Sequence, residues 1–267
     1  MSPIHEHNRR AWDMMAAKGM RFTRPASDDE FDKPLAYLDG LGWLGHSIVG
    51  KRVLCLAAGG GRHGPLYASA GAHVTVVDLS AEMLQLDRRV AEQRRLELRT
   101  VQASMDELSV FAVGEFDIVI QPVSTCYVPD VLSVYRQVAR VTAPNGIYIS
   151  QHKTPTSLQS DIEPTGNSYV ISRRYYDKQP LANVAGSRLR EEGTMEFVHR
   201  WEEFIGGLCR AGFVVEDLVE PRHDDDRANI GSFGHRAAYI APYVRIKARR
   251  VASAASGPSA SPFLWQP

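Results

Sequence analysis

Three clusters of residues in this chain of 267 have the types and spacing to hold an adenosine-containing ligand. Ala57-Ala-Gly-Gly-Gly-Arg-His-Gly64 is a turn that backbone can bring close to a ligand, because glycine has no Cβ and adopts positive φ freely. Asp78 follows about twenty residues after the first of these glycines, at the end of a β-branched run, where a carboxylate can accept both hydroxyls of a ribose. Met105 and Asp106 come after the next apolar run and are offered to a purine. Gly59-x-Gly61-x-x-Gly64 also satisfies the dinucleotide fingerprint. Two cofactor chemistries therefore stay open: a pyrophosphate on a helix N-terminus, or a phosphate-free cofactor whose amino-acid part is wrapped by backbone. His5-x-His7 and His223-Asp-Asp-Asp226 carry metal-ligand residue types, but neither spacing makes ligands converge. Both read as solvated segments, and no metal site is expected.

The elements that must position these residues are legible between Gly50 and Gln151, where apolar runs alternate with helical periods. That alternation signals parallel strands joined by crossover helices. Strands are expected at Val53–Ala57, Val74–Val77, Leu98–Gln102, Phe116–Ile120 and Ile147–Ile149. Ser80 can cap a helix with an apolar face of Met83, Leu84, Leu86 and Val90. Asp130 can cap another with Val131, Val134, Tyr135, Val138 and Val141, closed by a Pro144-Asn-Gly146 turn.

Residues 153–195 are polar and rich in proline and glycine, and read as an insertion with strands at Tyr169–Tyr176 and Arg188–Val198. A helix over Glu196–Ala211 and strands at Gly212–Val215 and Ala237–Ile240 complete the sheet. Residues 1–46 are expected to form a helical cap over the sheet's end. Residues 252–262 hold only Ala, Ser, Gly and Pro, too little to bury to offset the entropy of ordering, so 252–267 reads as a flexible tail.

Composition narrows the partners. Lys plus Arg and Asp plus Glu number 31 each, so no global field gathers nucleic acid or an anionic membrane, and neither is expected as a partner. No stretch of about 18 apolar residues offers a membrane span, and Met1–Arg10 has no apolar leader region. Cys55, Cys126 and Cys209 are odd in number and widely spaced, which fits a reducing, cytoplasmic compartment. Cys55, inside a strand, reads as a small buried hydrophobe.

The central chain resembles class I S-adenosylmethionine-dependent methyltransferases. Val53-Leu-Cys-Leu-Ala-Ala-Gly-Gly-Gly-Arg62 is similar to their first motif, and Val74-Thr-Val-Val-Asp-Leu-Ser80 with Met83-Leu84 resembles their acidic second-strand motif. Gln102-Ala-Ser-Met-Asp-Glu-Leu108 stands where their adenine-contacting loop does, and Phe116-Asp-Ile-Val-Ile120 resembles their fourth strand. Pro144-Asn-Gly-Ile-Tyr-Ile149 and Ala211-Gly-Phe213-x-Val215 complete the order. The resemblance covers about 50–241. It implies a Rossmann-like, doubly wound α/β fold: a mostly parallel seven-stranded sheet with a terminal antiparallel strand, a helical cap and an insertion after the fifth strand. The methyltransferase domain would run over 47–251, with 153–195 covering the substrate.

The resemblance also implies S-adenosyl-L-methionine as cofactor and S-adenosyl-L-homocysteine as product. The Ala57 backbone, Gly59 and Gly61 would surround the methionine part, Asp78 would hold the ribose, and Leu79 and Met105 would sandwich the adenine. Met83 belongs to the same motif, Gln121 would lie near the methionine end, and Asp106 could supply a carboxylate near the adenine. Two positions depart from the pattern: Cys55 and Ser104 stand where the family usually has acidic residues, one for the cofactor's ammonium and one near the adenine amino group.

The methyl donor is already activated, so the protein's task is to align the acceptor and take its proton. His152 and Tyr127, expected just past strand ends, are the candidate bases; His199 is a weaker one. No basic stripe with aromatics and no Asn-Pro-Pro-Tyr motif points to nucleic acid, since Gln121-Pro-Val-Ser124 stands there instead. The reading is O- or N-methylation of a small metabolite, with a homo-oligomer left open. The alternatives are a decayed, non-catalytic cofactor-binding protein and an NAD(P)-dependent oxidoreductase.

Overall fold

The computed structural model describes residues 2–184 and 187–251. Helix α1 (Pro3–Ala17) starts from a Ser2 capping box and Pro3 in its first turn, and short helices α2 (Asp28–Asp32) and α3 (Pro34–Leu38) follow. The chain then alternates strand and helix: β1 (Arg52–Leu56), α4 (His63–Ser69), β2 (His73–Asp78), α5 (Ala81–Arg94), β3 (Leu98–Gln102), β4 (Phe116–Gln121), α6 (Val131–Val141) and β5 (Thr142–Lys153). Ser80 caps α5 by accepting the Met83 N–H at 3.1 Å, and Asp130 caps α6 by accepting the Leu132 N–H at 2.9 Å. Helix α7 (Pro155–Gln159) follows, then a π-turn at Glu202–Gly206 running into α8 (Gly207–Arg210), β6 (Phe213–Val219), α9 (Phe233–Ala237) and β7 (Tyr243–Arg250).

The strands form one seven-stranded sheet in the order β3-β2-β1-β4-β5-β7-β6, parallel except for β7, which runs antiparallel to both neighbours. This is the expected doubly wound fold. The order reverses between β1 and β4, so the loops after these strands diverge and leave a crevice at their carboxyl ends. Alternation along β1 sends Leu54 and Leu56 to one face, with Tyr135, Val138, Phe204 and Leu208, and Val53 and Cys55 to the other, with Tyr67 and Leu84.

Four local expectations are corrected. No regular strand forms over 169–176 or 188–198 among the described residues; the insertion carries only the isolated bridges Ser160–Ile171 and Thr165–Ser168. The helix expected from Glu196 begins only at Trp201, because Glu196 is drawn to Lys153 and Arg190 and the Phe197 N–H donates to the Cys126 carbonyl at 2.7 Å. Residues 237–240 are not a strand: Arg236, buried, donates to the carbonyls of Ser157, Ser160 and Asp161 and pins α9 there. The last strand is instead β7, where Val244, Ile246 and Ala248 are buried and Lys247 and Arg249 reach Glu216. Finally, Pro144-Asn-Gly146 is a bulge inside β5, with Asn145 at φ 63. The expected tail, 252–267, lies outside the described residues.

Candidate functional site

A cavity of about 560 Å³ opens over the carboxyl ends of β1, β2 and β4, within the size range of ligand sites. Its first wall is the turn after β1, Ala57–Gly60. Ala57 holds φ 48, a left-handed conformation that side chains disfavour. The close approach requires glycine: a Cβ on Gly59 would lie 2.8 Å from the Met83 Cβ and 3.0 Å from Asp78 Oδ2. Gly61 sits at φ +75 with the Leu86 carbonyl 3.0 Å from where its Cβ would be.

Asp78, at the end of β2, accepts the Gly59 N–H through Oδ2 and the Ser80 N–H through Oδ1, each at 2.9 Å. Burial pushes its carboxyl up to about 6, against the opposing pull of those N–H groups. Asp87, on the buried side of α5, accepts the Gly60 N–H at 2.8 Å, and burial pushes it up to about 7. Its Oδ1 is buried and unpartnered among the described residues.

These contacts decide between the two cofactor chemistries. A pyrophosphate needs free backbone N–H groups at this turn, whereas here Gly59 and Gly60 give theirs to carboxylates that would repel it. A carboxylate at the end of β2, a glycine cradle and the apolar Leu79, Met83 and Met105 on the same wall suit a phosphate-free adenosine cofactor.

The opposite wall is built by long-range contacts. Helix α1 crosses the mouth, with His5, Asn8 and Trp12 on the cavity. Asn8 is buried; it donates to the Tyr127 and Met195 carbonyls at 2.9 and 3.1 Å and accepts the Met195 N–H at 2.7 Å. Trp12 packs edge-on against Tyr127, centroids 5.6 Å apart. The Tyr127 hydroxyl donates to Glu191 Oε2 at 2.6 Å, and Lys153 Nζ reaches the same oxygen at 2.6 Å while also pairing with Glu196. Glu196 in turn pairs with Arg190. Burial holds the Tyr127 phenol well above its ordinary range, so it stays protonated and donates. Arg21, Phe22 and Arg24 close the side over the glycine turn, where the Ala26 N–H donates to the Gly61 carbonyl at 3.1 Å.

The structure brings Ala57, Gly59, Asp78, Leu79, Met83, Met105 and Tyr127 to this one cavity, with Gly61 directly behind the turn. Three expected residues stand back from it. Gln121 is buried, accepts from the Tyr148 hydroxyl and donates to Ser124 Oγ at 2.9 Å and Met105 Sδ at 3.2 Å, so it props the wall. Asp106 is held by His5, 3.1 Å from its Oδ2, and its Oδ1 is buried and unpartnered among the described residues.

His152 is the clearest correction. Strand β5 runs on to Lys153, so pleating turns His152 into the core, between Thr125 Oγ1 (2.7 Å) and Ser150 Oγ (2.8 Å) and 4.4 Å from the Phe204 ring centroid. It is fully buried and does not line the cavity, so no acceptor can reach it, and burial lowers its pKa to about 3, which keeps the ring neutral. His199 is likewise buried, against the Thr125 carbonyl at 2.9 Å.

Sequence reasoning missed His5, Trp12, Asp87, Glu191 and Tyr243. Asp87 had a signal, an acid on the apolar face of an otherwise amphipathic helix. His5 and His7 lie on α1 rather than in a solvated loop, and His7 reaches the Gly193 carbonyl at 2.9 Å.

A family model described as a methyltransferase domain matches residues 54–150, the span from β1 to β5. The chain is 34% identical over 236 residues to the uncharacterized methyltransferase YbaJ of Bacillus subtilis, covering 83% of this chain and 92% of that protein. It is 31% identical over 216 residues to a ubiquinone biosynthesis O-methyltransferase of Bordetella avium, covering 78% and 79% respectively. Among solved structures, geranyl diphosphate C-methyltransferase of Streptomyces coelicolor, in complex with Mg2+, geranyl diphosphate and S-adenosyl-L-homocysteine, shares the fold at a TM-score of 0.63 and 17% identity. That match covers 94% of this chain and 99% of the other.

Proposed function

This chain belongs to the class I S-adenosylmethionine-dependent methyltransferase family, and from that premise we propose that it methylates an oxygen or nitrogen of a small metabolite. The observation that carries this reading is the single cavity with two unlike walls: the glycine turn and Asp78 on one, and Trp12, Tyr127 and Tyr243 on the other. In this assignment Asp78 accepts the ribose hydroxyls, the backbone of Ala57–Gly61 encloses the methionine part, and Leu79, Met83 and Met105 bracket the adenine. S-adenosylmethionine supplies a methyl group already activated on a sulfonium.

The cap over 1–46 and the insertion over 153–195 cover the acceptor: α1 is bonded through Asn8 to both the Tyr127 loop and the insertion. Such a cover excludes water and favours a small acceptor over a polymer. The three unbonded cysteines support a cytoplasmic setting, and among the described residues no helix is long and apolar enough to cross a membrane.

Calorimetry tests the cofactor assignment: S-adenosylhomocysteine should bind and NAD should not. Incubation with methyl-labelled S-adenosylmethionine and a cell extract should place the label in the low-molecular-weight fraction. Label confined to protein or nucleic acid would overturn the small-acceptor reading.

A further inference from the structure

Two carboxylates line the cavity, and they are built differently. Asp78 has both oxygens engaged by backbone N–H groups of its own loops. Glu191 comes from the insertion and has a side chain only 7% exposed. Its Oε2 takes both the Tyr127 hydroxyl and the Lys153 ammonium, while Oε1 accepts nothing from the described residues, and Glu191 lines the cavity.

Burying a carboxylate this far is unfavourable unless it is paired, and here the pairing is extensive. Burial would lower the Lys153 pKa, but the neighbouring Cys126, Glu191 and Glu196 outweigh it and hold the amine above its ordinary value. Lys153, Arg190, Glu191 and Glu196 sum to zero charge, so the cluster presents one fixed acceptor oxygen rather than a broad negative field. Oε1 is therefore suited to an O–H donor, and an anionic group placed directly beside it would be repelled, although Arg21, Arg24 and Arg62 line the cavity elsewhere. The neighbouring walls, Trp12, Tyr127 and Tyr243, are aromatic and suit a flat ring.

Resting on the methyltransferase reading, we propose that Glu191 is the acceptor-binding residue and general base, and that the acceptor is a phenolic ring with no acidic substituent beside the reacting hydroxyl. The phenol oxygen forms the new O–CH3 bond as the S–CH3 bond breaks, the electron pair stays on sulfur, and the hydroxyl proton passes to Glu191 Oε1.

The test uses 3-methylcatechol and 2,3-dihydroxybenzoate, which differ in a methyl against a carboxylate next to a hydroxyl, with the full chain loaded with S-adenosylhomocysteine. The methyl probe should bind at least about tenfold tighter. Glu191→Gln should weaken it about tenfold without altering S-adenosylhomocysteine affinity, and should lower kcat for its methylation about a hundredfold, the ordinary contribution of a general base. Equal or reversed preference, binding of neither probe, or an unaffected Gln variant overturns the assignment. If the Gln variant fails to hold S-adenosylhomocysteine, Glu191→Asp decides: keeping the charge, it must keep the preference, and losing it overturns the proposal. Failure of the native protein to bind S-adenosylhomocysteine is a separate result, and defeats the methyltransferase reading itself.

Discussion

The two walls of the cavity were assembled by opposite routes. The cofactor wall comes from consecutive strand ends: Gly59 and Asp78 are 2.9 Å apart through a hydrogen bond yet close in sequence, and Ser80 and Met83 follow in the same loop and helix. The acceptor wall joins Asn8, Tyr127, Lys153 and Glu191, from four segments that meet only in the folded chain. In the proposed assignment the first wall holds a ligand common to a whole family and is a property of the sheet, and the second recognises one acceptor and is a property of what is laid over the sheet. Cofactor and acceptor binding should therefore respond to separate sets of substitutions.

The largest effect expected is from Gly59→Val. Its side chain would press on the Met83 Cβ and Asp78, and S-adenosylhomocysteine affinity should fall at least about a hundredfold, near 3 kcal/mol. Calorimetry checks this, and retained affinity would break the assignment of the turn.

Asn8→Ala probes the other wall. It strands the half-buried Met195 N–H and two carbonyls, and should destabilise the protein by about 2 kcal/mol, read as a lower melting temperature. S-adenosylhomocysteine affinity should hold within a few-fold in the melted-out cap; a loss as large as that at Gly59 would merge the two walls into one unit.

Asp78 gives a pH signature. Ribose hydroxyls need the ionised carboxylate, and with its pKa near 6 about a tenth is ionised at pH 5, so affinity should rise about tenfold from pH 5 to 7.5. Asp78→Asn should abolish that slope and bind about tenfold more weakly. Stability of the free protein runs the other way. A raised carboxyl pKa favours the fold most below the ordinary value of 3.8, and that contribution is lost as pH rises through about 6 for Asp78 and about 7 for Asp87. Melting curves between pH 4 and 8 would show it.

The smallest change is Ala57→Gly. It relieves the left-handed strain at φ 48 and should stabilise the chain by up to about 1 kcal/mol, with cofactor affinity unchanged.

The legible and illegible parts of the site divide along the same line. Asp78 and Gly59 could be found because a carboxylate and a glycine at strand ends carry their signal in neighbouring residues. His152 misled because one more turn of pleat decides whether a residue after a strand faces a ligand or the core, and β5 continues past it to pair His152 with Val244. The last strand was misplaced because the apolar string at 237–240 outweighed the alternation of Val244, Ile246 and Ala248 between basic residues, which is the better strand signal. Glu191 carried no signal of its own, being one acid in a polar insertion.

The sequence by itself determined the five parallel strands β1 to β5, the glycine turn and the carboxylate at the end of β2, since each rests on periodicity or spacing over a few residues. Tertiary structure decided the rest. It gave the Gly59 and Gly60 N–H groups to Asp78 and Asp87, which turned an ambiguous fingerprint against a pyrophosphate, and it carried Glu191 to Lys153 and Tyr127. A buried charge finds its partners wherever folding places them, and no local pattern records that distance.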